Sequence, residues 1–420
     1  MSTDEQAFRW RSIALPALLP SLLFSIGEGA IVPVIPVAAG NLGATLAIAG
    51  LVAGALTVGE LFGNIPSGWI IARVGERLAM IGASALSIIG LGICIVAPHT
   101  LALGFGILLV GLAAAVFNLA RHAFMTTFVP IEYRGRALST LGGTFRAGLF
   151  VGPMLSAGII HLTGSVSSSF WVHIVACLGA AVILIAMPDP TTSFGVVRNL
   201  RLALHRVQGG DESAVREAGG LFQTMHRNRV VLSRLGFGAA LIGALRASRA
   251  VILPLWALSI GVSATDTALV IGIAGAVDFA LFYTGGAIMD RFGRLWTALP
   301  AMIGLGLGHL VLAATHDLPS NVAWFVGAAM FLSLANGIGS GVLMTLGADL
   351  ADRHNPAPFL GAWRFTGGLG SASSPLIIAG VTAIASLSMA AGVVGVLGLV
   401  GAGVLARFVP RYVPRPMRDS

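Results

Sequence analysis

The stretch Gly68-Trp-Ile-Ile-Ala-Arg-Val-Gly75 returns 218 residues later as Gly286-Ala-Ile-Met-Asp-Arg-Phe-Gly293. The same offset, applied without a gap, superimposes four pairs of polar residues that lie in apolar surroundings: Glu28 on Arg246, Glu60 on Asp278, Asn118 on Asn336 and Arg146 on Arg364. A repeat of half the chain length is a sequence signature of a fold built from equivalent units. The sequence therefore predicts two structurally equivalent halves that carry polar side chains at matching depths.

The composition indicates a membrane protein. Apolar residues make up 56% of the 420 residues and charged residues only 10%, whereas a soluble chain of this length carries far more charge. Apolar runs of about twenty residues, enough to cross a hydrocarbon core of about 30 Å, recur along the chain. The pattern predicts an all-α membrane protein with twelve transmembrane helices, called spans 1 to 12 below. They are expected at residues 12–37, 45–71, 78–98, 101–128, 137–162, 169–187, 231–258, 266–289, 295–315, 322–347, 359–382 and 386–408.

The arginines predict the orientation of the chain. All 25 basic residues are arginine and the net charge is +8. Most of them lie at the two termini, in alternate loops and in a central segment. The loops without arginine are at 38–44, 99–100, 163–168, 259–265, 316–321 and 383–385. By the positive-inside rule the arginine-rich loops and both termini are cytoplasmic. We therefore expect a multi-pass protein of the cell inner (plasma) membrane, and the positive charge does not indicate nucleic-acid binding.

One long polar stretch, residues 188–230, divides the chain. It opens with the helix stop Pro188-Asp-Pro190, and apolar residues then recur at helical spacing from Val197 to Val207. This spacing among arginines predicts a short basic helix on the inner membrane surface, with a docking site for a regulatory partner as the alternative. The expected parts are an N-terminal six-helix bundle at 1–187, a cytoplasmic linker at 188–230 and a C-terminal six-helix bundle at 231–420.

The repeated stretch resembles a loop motif of the major facilitator superfamily, G-x-x-x-D-R-x-G-R, which follows spans 2 and 8. The first copy has Ala72 where the family has aspartate, and the second copy is complete. The matching residues are Gly68, Arg73, Gly75, Arg77, Gly286, Asp290, Arg291, Gly293 and Arg294. Glycine lets the short turn close, and the charged side chains can pair with neighbouring helix ends. The resemblance implies a cytoplasmic latch that depends more on Asp290 and Arg291 than on Arg73.

A second motif is similar to one in the twelve-span drug:proton antiporter branch of that family. Gly148, Gly152 and Pro153 in span 5 match most of its pattern G-x-x-x-G-P-x-x-G-G. Proline kinks a membrane helix, and small neighbours let a facing helix rock against the bend; an ordinary kink is the alternative. A third family motif is broken, because Ile107 stands where an arginine is expected. Arg121 in the same span is a candidate substitute.

Ionisable residues within the spans are the candidates for function, because a charge at the bilayer centre is costly and usually faces a partner inside the protein. The acids are Glu28, Glu60 and Asp278, and the bases are Arg121, Arg146, Arg246, Arg249 and Arg364. In the family, span 2 packs beside span 11 and span 5 beside span 8. The resemblance therefore implies two pairs, Glu60 with Arg364 and Arg146 with Asp278. Each pair is either a structural ion pair or a gate that breaks and re-forms as the halves rock.

Glu28 is the first candidate for carrying a proton, ahead of Asp278 and Glu60. The resemblance places span 1 opposite span 7, where Arg246 and Arg249 lie three residues apart on one helical face. A carboxyl group that alternates between an apolar environment and a neighbouring arginine can bind and release a proton. A purely structural ion pair is the alternative role for Glu28.

The substrate cavity is expected between the halves. Spans 4 and 10 line it in the family, so Asn118, Arg121 and Asn336 are candidates for substrate contact together with Arg246 and Arg249. Hydrogen bonding between helices is the alternative role of the two asparagines. Five buried arginines against three acids would leave the cavity positively charged, which disfavours an organic cation.

The sequence therefore predicts a secondary transporter that works by alternating access and is not an enzyme. We expect proton-coupled export of small amphipathic compounds, drugs among them, with transport of a small anionic metabolite in either direction as the alternative. A membrane-embedded enzyme or lipid-handling protein is disfavoured, because no cluster of histidine or aspartate lies at a membrane face. The expected partners are a small-molecule substrate, protons and membrane lipids, and the expected state is a monomer. No cofactor, metal or nucleic acid is expected, since His122, His173 and His309 lack metal-ligand spacing.

Overall fold

The computed structural model describes residues 10–128, 134–186, 223–351 and 357–413. In these residues eleven helices are long and apolar enough to cross a membrane, and a bent pair makes a twelfth crossing. Spans 1 to 12 are, in order, Trp10–Ile31 continued by Ile35–Asn41, Leu46–Val74, Glu76–Ile95, Thr100–Phe128, Arg134–Thr163, Ser168–Ala186, Arg229–Ser259, Ala264–Phe292, Leu295–Thr315, Asn321–Leu350, Ala357–Ile384 and Leu387–Tyr412. The predicted all-α fold and its twelve spans are confirmed.

The helices form two bundles of six with the same internal packing. In the N-terminal bundle span 1 packs against spans 5 and 6, and span 4 packs against spans 2 and 3. In the C-terminal bundle span 7 packs against spans 11 and 12, and span 10 packs against spans 8 and 9. The bundles meet where span 2 packs on span 11 and span 5 packs on span 8. This is the neighbour relation that the family resemblance implied.

The repeat is also visible in the helix ends. Spans 2 and 8 begin and end at equivalent positions. Thr45 and Ser263 cap their first turns, and each side chain accepts a hydrogen bond from the backbone N–H three residues on. Gly75 and Gly293 follow the last turns with φ of +83° and +95°, a conformation that glycine adopts without strain. Equivalent residues therefore start and stop equivalent helices.

Span 10 is broken between Asn321–Ile338 and Val342–Leu350. The break contains Gly341, whose φ of +81° lies in the left-handed region. A β-carbon would be strained there, so the break depends on glycine. It places the backbone carbonyl of Gly339 in the interior of the C-terminal bundle, next to span 7.

The bundles are in closest contact at the end of the molecule with the arginine-free loops, called the arginine-free end below. Gly54 of span 2 lies so close to Pro375 of span 11 that a β-carbon on Gly54 would overlap the proline ring. On the same two helix faces, toward the opposite, arginine-rich end, Ile65 is 65% exposed and Arg364 is also exposed. Spans 2 and 11 therefore separate toward the arginine-rich end, whereas Gly142 of span 5 still lies close to Phe282 of span 8 there.

The predicted linker at 188–230 lies mostly outside the described residues, and so does the basic surface helix predicted within it. The boundaries of the bundles at 1–187 and 231–420 stay a prediction.

Candidate functional site

Asp278 of span 8 lies at the boundary between the bundles and accepts three side-chain hydrogen bonds. Arg146 Nη1 of span 5 donates to Oδ1 over 2.6 Å, and Arg249 Nη2 of span 7 donates to Oδ2 over 3.1 Å. Asn336 Nδ2 of span 10 donates to Oδ2 over 2.8 Å. These four residues are called the Asp278 cluster. The predicted contact between Arg146 and Asp278 is confirmed, and its role as a gate stays a prediction.

The surroundings of the Asp278 cluster carry an excess of positive charge. Arg146 and Arg249 contact its single carboxylate, and Arg246 lies within electrostatic range of it. Arg246 Nη2 also donates to the carbonyl oxygen of Gly339 over 2.7 Å, at the break in span 10. Each of these three guanidinium groups is therefore held by an acceptor of the protein, while a single carboxylate faces three positive charges.

The predicted contact of Glu28 with Arg246 and Arg249 is wrong. Both arginines turn into their own bundle, because Asp278 and the Gly339 carbonyl supply buried acceptors there. Glu28 is 6% exposed and turns into the N-terminal bundle. Its cationic neighbour within electrostatic range is Arg121 of span 4.

The predicted pair of Glu60 and Arg364 is also wrong. Spans 2 and 11 pack together, but within the described residues no ion pair joins these two side chains. Glu60 interacts instead with Glu28 and Arg121 inside its own bundle. Arg364 is exposed where the bundles separate. The nearer cation and the separation of the bundles together account for the difference.

Glu28, Glu60 and Arg121 form a second charged group, called the Arg121 cluster, inside the N-terminal bundle. Arg121 is 5% exposed and interacts electrostatically with both carboxylates. Side chains tilt toward the N-terminus of their own helix, which in span 4 is the arginine-free end. Arg121 therefore extends from the part of span 4 near the arginine-rich end toward the middle of the bundle. Its guanidinium lies 4.5 Å from the centroid of the Phe145 ring, a favourable cation–π distance.

Hydrogen bonding in the Arg121 cluster is incomplete. Arg121 Nε and Nη1, Glu28 Oε2 and the nearby Asn118 Oδ1 are buried, and none has a hydrogen-bond partner in the described part of the chain. Leaving a buried polar atom unbonded costs about 1–3 kcal/mol. Such atoms on neighbouring helices mark a place where a proton, water or ligand completes the bonding.

The repeat relates the Arg121 cluster to Asp278 and to the neighbouring contact of Arg246 with Gly339. The 218-residue offset relates Glu28 to Arg246 and Arg121 to Gly339. Glu28 on span 1 thus faces Arg121 on span 4. At the equivalent positions of the C-terminal bundle, Arg246 on span 7 faces the carbonyl group of Gly339 on span 10. Sequence reasoning treated Arg121 as a substitute for a lost motif residue and missed this relation. Applying the offset to Arg121 would have indicated it.

The small residues of span 5 pack against span 1. A β-carbon on Gly148 or on Gly152 would overlap atoms of span 1, and Pro153 follows directly. Span 1 carries Glu28 and span 5 carries Arg146. A movement of these two helices against each other would therefore displace residues of both charged clusters.

The two copies of the loop motif are held differently. In the first copy Arg77 Nη2 donates to the carbonyl oxygen of Ile185 over 2.9 Å and caps the end of span 6. In the second copy Arg294 donates to both oxygens of Asp349, over 2.8 and 3.3 Å. This bonding raises the pKa of Arg294, because it stabilises the charged guanidinium. Asp290 is 84% exposed and 3.7 Å from Arg294, so the close ion pair is Arg294 with Asp349 and not one made by Asp290.

A cavity of about 880 Å³ lies at the arginine-free end, among the ends of spans 2, 7, 9, 11 and 12. Its lining includes His316, which is hydrogen-bonded to Ser259 and Asp317. The cavity shares no residue with either charged cluster. It is a recess beside the closed contact of the bundles. Across the described residues, no group of three or more His, Cys, Asp or Glu side chains could hold a metal ion.

The family model described as Major Facilitator Superfamily matches residues 18–375 and 235–420. The chain belongs to this superfamily. It is therefore a secondary transporter that crosses the membrane several times, and it is not an enzyme. The match is to the superfamily as a whole and does not distinguish the drug:proton antiporter branch.

Relatives of known function match over part of their length. A Gallate transporter of Pseudomonas putida is 30% identical over 125 residues, which cover 29% of this chain and 27% of that protein. Inositol transporter 4 of Arabidopsis thaliana is 24% identical over 131 residues, which cover 31% of this chain and 22% of that protein. The chain thus spans about a quarter of the length of these relatives.

Solved structures match over nearly the whole chain. The xylose transporter XylE from E. coli, in an inward open conformation, has a TM-score of 0.73 at 15% identity, and the match covers 98% of each chain. A POT family transporter in complex with a thioalcohol conjugated peptide has a TM-score of 0.73 at 13% identity, covering 96% of this chain and 97% of that one. At such identities the likeness shows the fold.

Proposed function

We propose that this chain is a proton-coupled transporter of small organic anions that works by alternating access. It acts as a monomer in the inner (plasma) membrane, with both termini cytoplasmic. The observation that carries the proposal is the excess of positive charge at the bundle boundary, where Asp278 faces the part-buried guanidinium groups of Arg146, Arg249 and Arg246. Such a site attracts an anion and repels an organic cation.

Alternating access needs contacts that change as the bundles rock. The ion pair of Arg146 with Asp278 crosses the bundle boundary, so any conformation that separates spans 5 and 8 at this depth must break it. The excess positive charge around this pair attracts an anion toward the boundary between the bundles.

Glu28 and Glu60 are the proposed proton carriers. Glu28 is buried, and both carboxyl groups interact with Arg121. A buried carboxyl group can exchange its proton when its distance from a neighbouring cation changes. Both acids lie on helices that contact the moving partners, span 1 on span 5 and span 2 on span 11.

The partial match to a gallate transporter supports this substrate class, because gallate carries a carboxylate. The partial match to an inositol transporter suggests a hydroxylated metabolite. A small hydroxylated acid combines both properties.

Proton-driven export of amphipathic drugs is the second candidate function. It is favoured by the packing of Gly148 and Gly152 on span 1 next to Pro153, the residues that resemble the antiporter motif. A rocking contact at this place would serve a drug antiporter as well as an anion transporter.

Transport by proteoliposomes with an imposed pH gradient tests both candidates. The compounds are gallate, its uncharged methyl ester, xylose and the cationic dye ethidium. We expect the gradient to drive gallate and none of the other three. Gradient-driven transport of ethidium would establish the second candidate, and transport that ignores the gradient would contradict proton coupling.

A further inference from the structure

We propose that Arg121 binds the carboxylate of the substrate, and that it does so only when Glu28 and Glu60 are protonated. This inference rests on the proposed function. The inference extends the proposed function in two ways: it assigns the anion to one residue, and it makes the protein a proton–anion symporter.

Arg121 differs from the part-buried arginines around Asp278 in having donors without an acceptor in the described chain. Arg146 and Arg249 donate to Asp278, and Arg246 donates to the Gly339 carbonyl. Arg121 is 5% exposed, yet its Nε and Nη1 have no acceptor in the described chain. A carboxylate is the acceptor that a guanidinium binds best, through charge-assisted hydrogen bonds.

Asn118 indicates what else the ligand carries. It lies three residues before Arg121 on the same helical face, and its buried Oδ1 has no donor in the described chain. A hydroxyl group of the ligand can donate to this oxygen. The ligand class is therefore a small hydroxylated carboxylate.

The charge of the cluster sets when this ligand can bind. With Glu28 and Glu60 ionised, two carboxylates outweigh Arg121 and the cluster repels an anion. With both acids protonated, the cluster has a single positive charge and attracts it. Protons and anion therefore favour each other's binding, and by linkage the effect is reciprocal. The two move together across the membrane.

Other titratable or charged groups surround the cluster. They are His122 on span 4, Cys177 and His173 on span 6, Arg146 beside Phe145 on span 5, and exposed Arg364 on span 11. None of them carries a carboxyl group. Glu28 and Glu60 are therefore the groups in this set whose ionisation makes the cluster negative, while His122 could add positive charge in acid.

Binding to the purified, full-length protein in detergent tests the inference, with gallate and its methyl ester as probes. For the wild type we expect gallate to bind more tightly at mildly acidic than at mildly alkaline pH. Binding in weakly buffered solution should also take up protons, measured with a pH indicator. The methyl ester should bind weakly and take up none. If neither gallate nor other small hydroxy acids bind at all, the proposed function fails and this inference with it.

Three variants separate this inference from the proposed function. Arg121→Gln should weaken gallate binding by about 10- to 100-fold. Arg234 is an exposed arginine bonded to Tyr412, so Arg234→Gln is the control and should leave gallate binding unchanged. If Arg121→Gln does not fold, the double variant Glu28→Gln/Glu60→Gln tests the inference. This variant should bind gallate at all pH values without proton uptake. Tight gallate binding by Arg121→Gln would overturn the inference and leave the proposed function standing. Persisting pH dependence in the double variant would assign it to His122 and would also overturn the inference.

Discussion

Arg246 Nη2 donates a hydrogen bond of 2.7 Å to the carbonyl oxygen of Gly339, at the positions that the repeat assigns to Glu28 and Arg121 in the other bundle. In the C-terminal bundle this contact satisfies an arginine with the backbone of a broken helix. In the N-terminal bundle the equivalent positions hold Glu28 and Arg121, which interact electrostatically, and Glu28 Oε2, Arg121 Nε and Arg121 Nη1 have no hydrogen-bond partner in the described part of the chain. The repeat thus relates a hydrogen-bonded contact in the C-terminal bundle to a pair in the N-terminal bundle whose hydrogen bonding is incomplete.

The first prediction concerns the contact between the bundles. Removing one partner of a buried ion pair costs about 3–5 kcal/mol, because the other charge is left uncompensated. Asp278→Asn deprives Arg146 and Arg249 at once, whereas Arg146→Gln leaves Asp278 bonded to Arg249 and Asn336. We expect Asp278→Asn to reduce the amount of folded protein more, and added Arg146→Gln to restore part of it. Size-exclusion chromatography of fluorescent fusions measures folded protein, and additive losses would contradict the pairing.

The second prediction concerns Glu28. Glu28→Gln fixes this side chain in an uncharged state next to Arg121, so it can no longer carry a proton. We expect gradient-driven gallate transport to be strongly reduced, because Glu60 is then the one proposed carrier left, while exchange of labelled for unlabelled gallate continues. Asp266→Asn is the control, because this exposed acid lies at the start of span 8 beside Ser263. Full gradient-driven transport by Glu28→Gln would remove Glu28 from the coupling mechanism.

The third prediction concerns the second loop motif. Asp349 makes a two-oxygen contact with Arg294, whereas Asp290 is 84% exposed. We expect Asp349→Asn to lower the transport rate more than Asp290→Asn at matched expression, because it releases the end of span 10 from the loop. Exposed pairs contribute about 1 kcal/mol or less, so the effect should be a several-fold change in rate. A larger loss with Asp290→Asn would show that the exposed carboxylate has a partner in another conformation.

The fourth prediction concerns helix packing. A β-carbon on Gly370 of span 11 would overlap the backbone of span 7 at Ala240, whereas one on Gly380 of the same span would meet no atom within 4 Å. Overpacking of this kind costs about 1–3 kcal/mol. Gly370→Ala should therefore lower the melting temperature in detergent, and Gly380→Ala should leave it unchanged or raise it slightly. Equal melting temperatures would contradict the close approach of these spans.

Some properties of the site could be predicted from the sequence and others could not. The pair of Arg146 with Asp278 followed from the neighbour relation of spans 5 and 8, because each helix has one charge at that depth. Glu60 and Glu28 were assigned to arginines across the boundary, whereas both interact with Arg121. Pairing rules based on depth cannot choose between two cations at similar heights. The choice depends on helix rotation and on how far the bundles have separated.

The sequence by itself determined the twelve spans, their division into two equivalent halves and the glycine-closed turns at Gly75 and Gly293. These follow from local properties: the length of apolar runs, their repetition and the conformations that a residue type allows. Only the tertiary structure decided which charge faces which. The arginines have long side chains that reach acceptors on several helices. Arg246 donates to the backbone carbonyl group of Gly339, which the break in span 10 makes available. A buried charge is fixed by its nearest acceptor in three dimensions, which neither its sequence position nor its depth specifies.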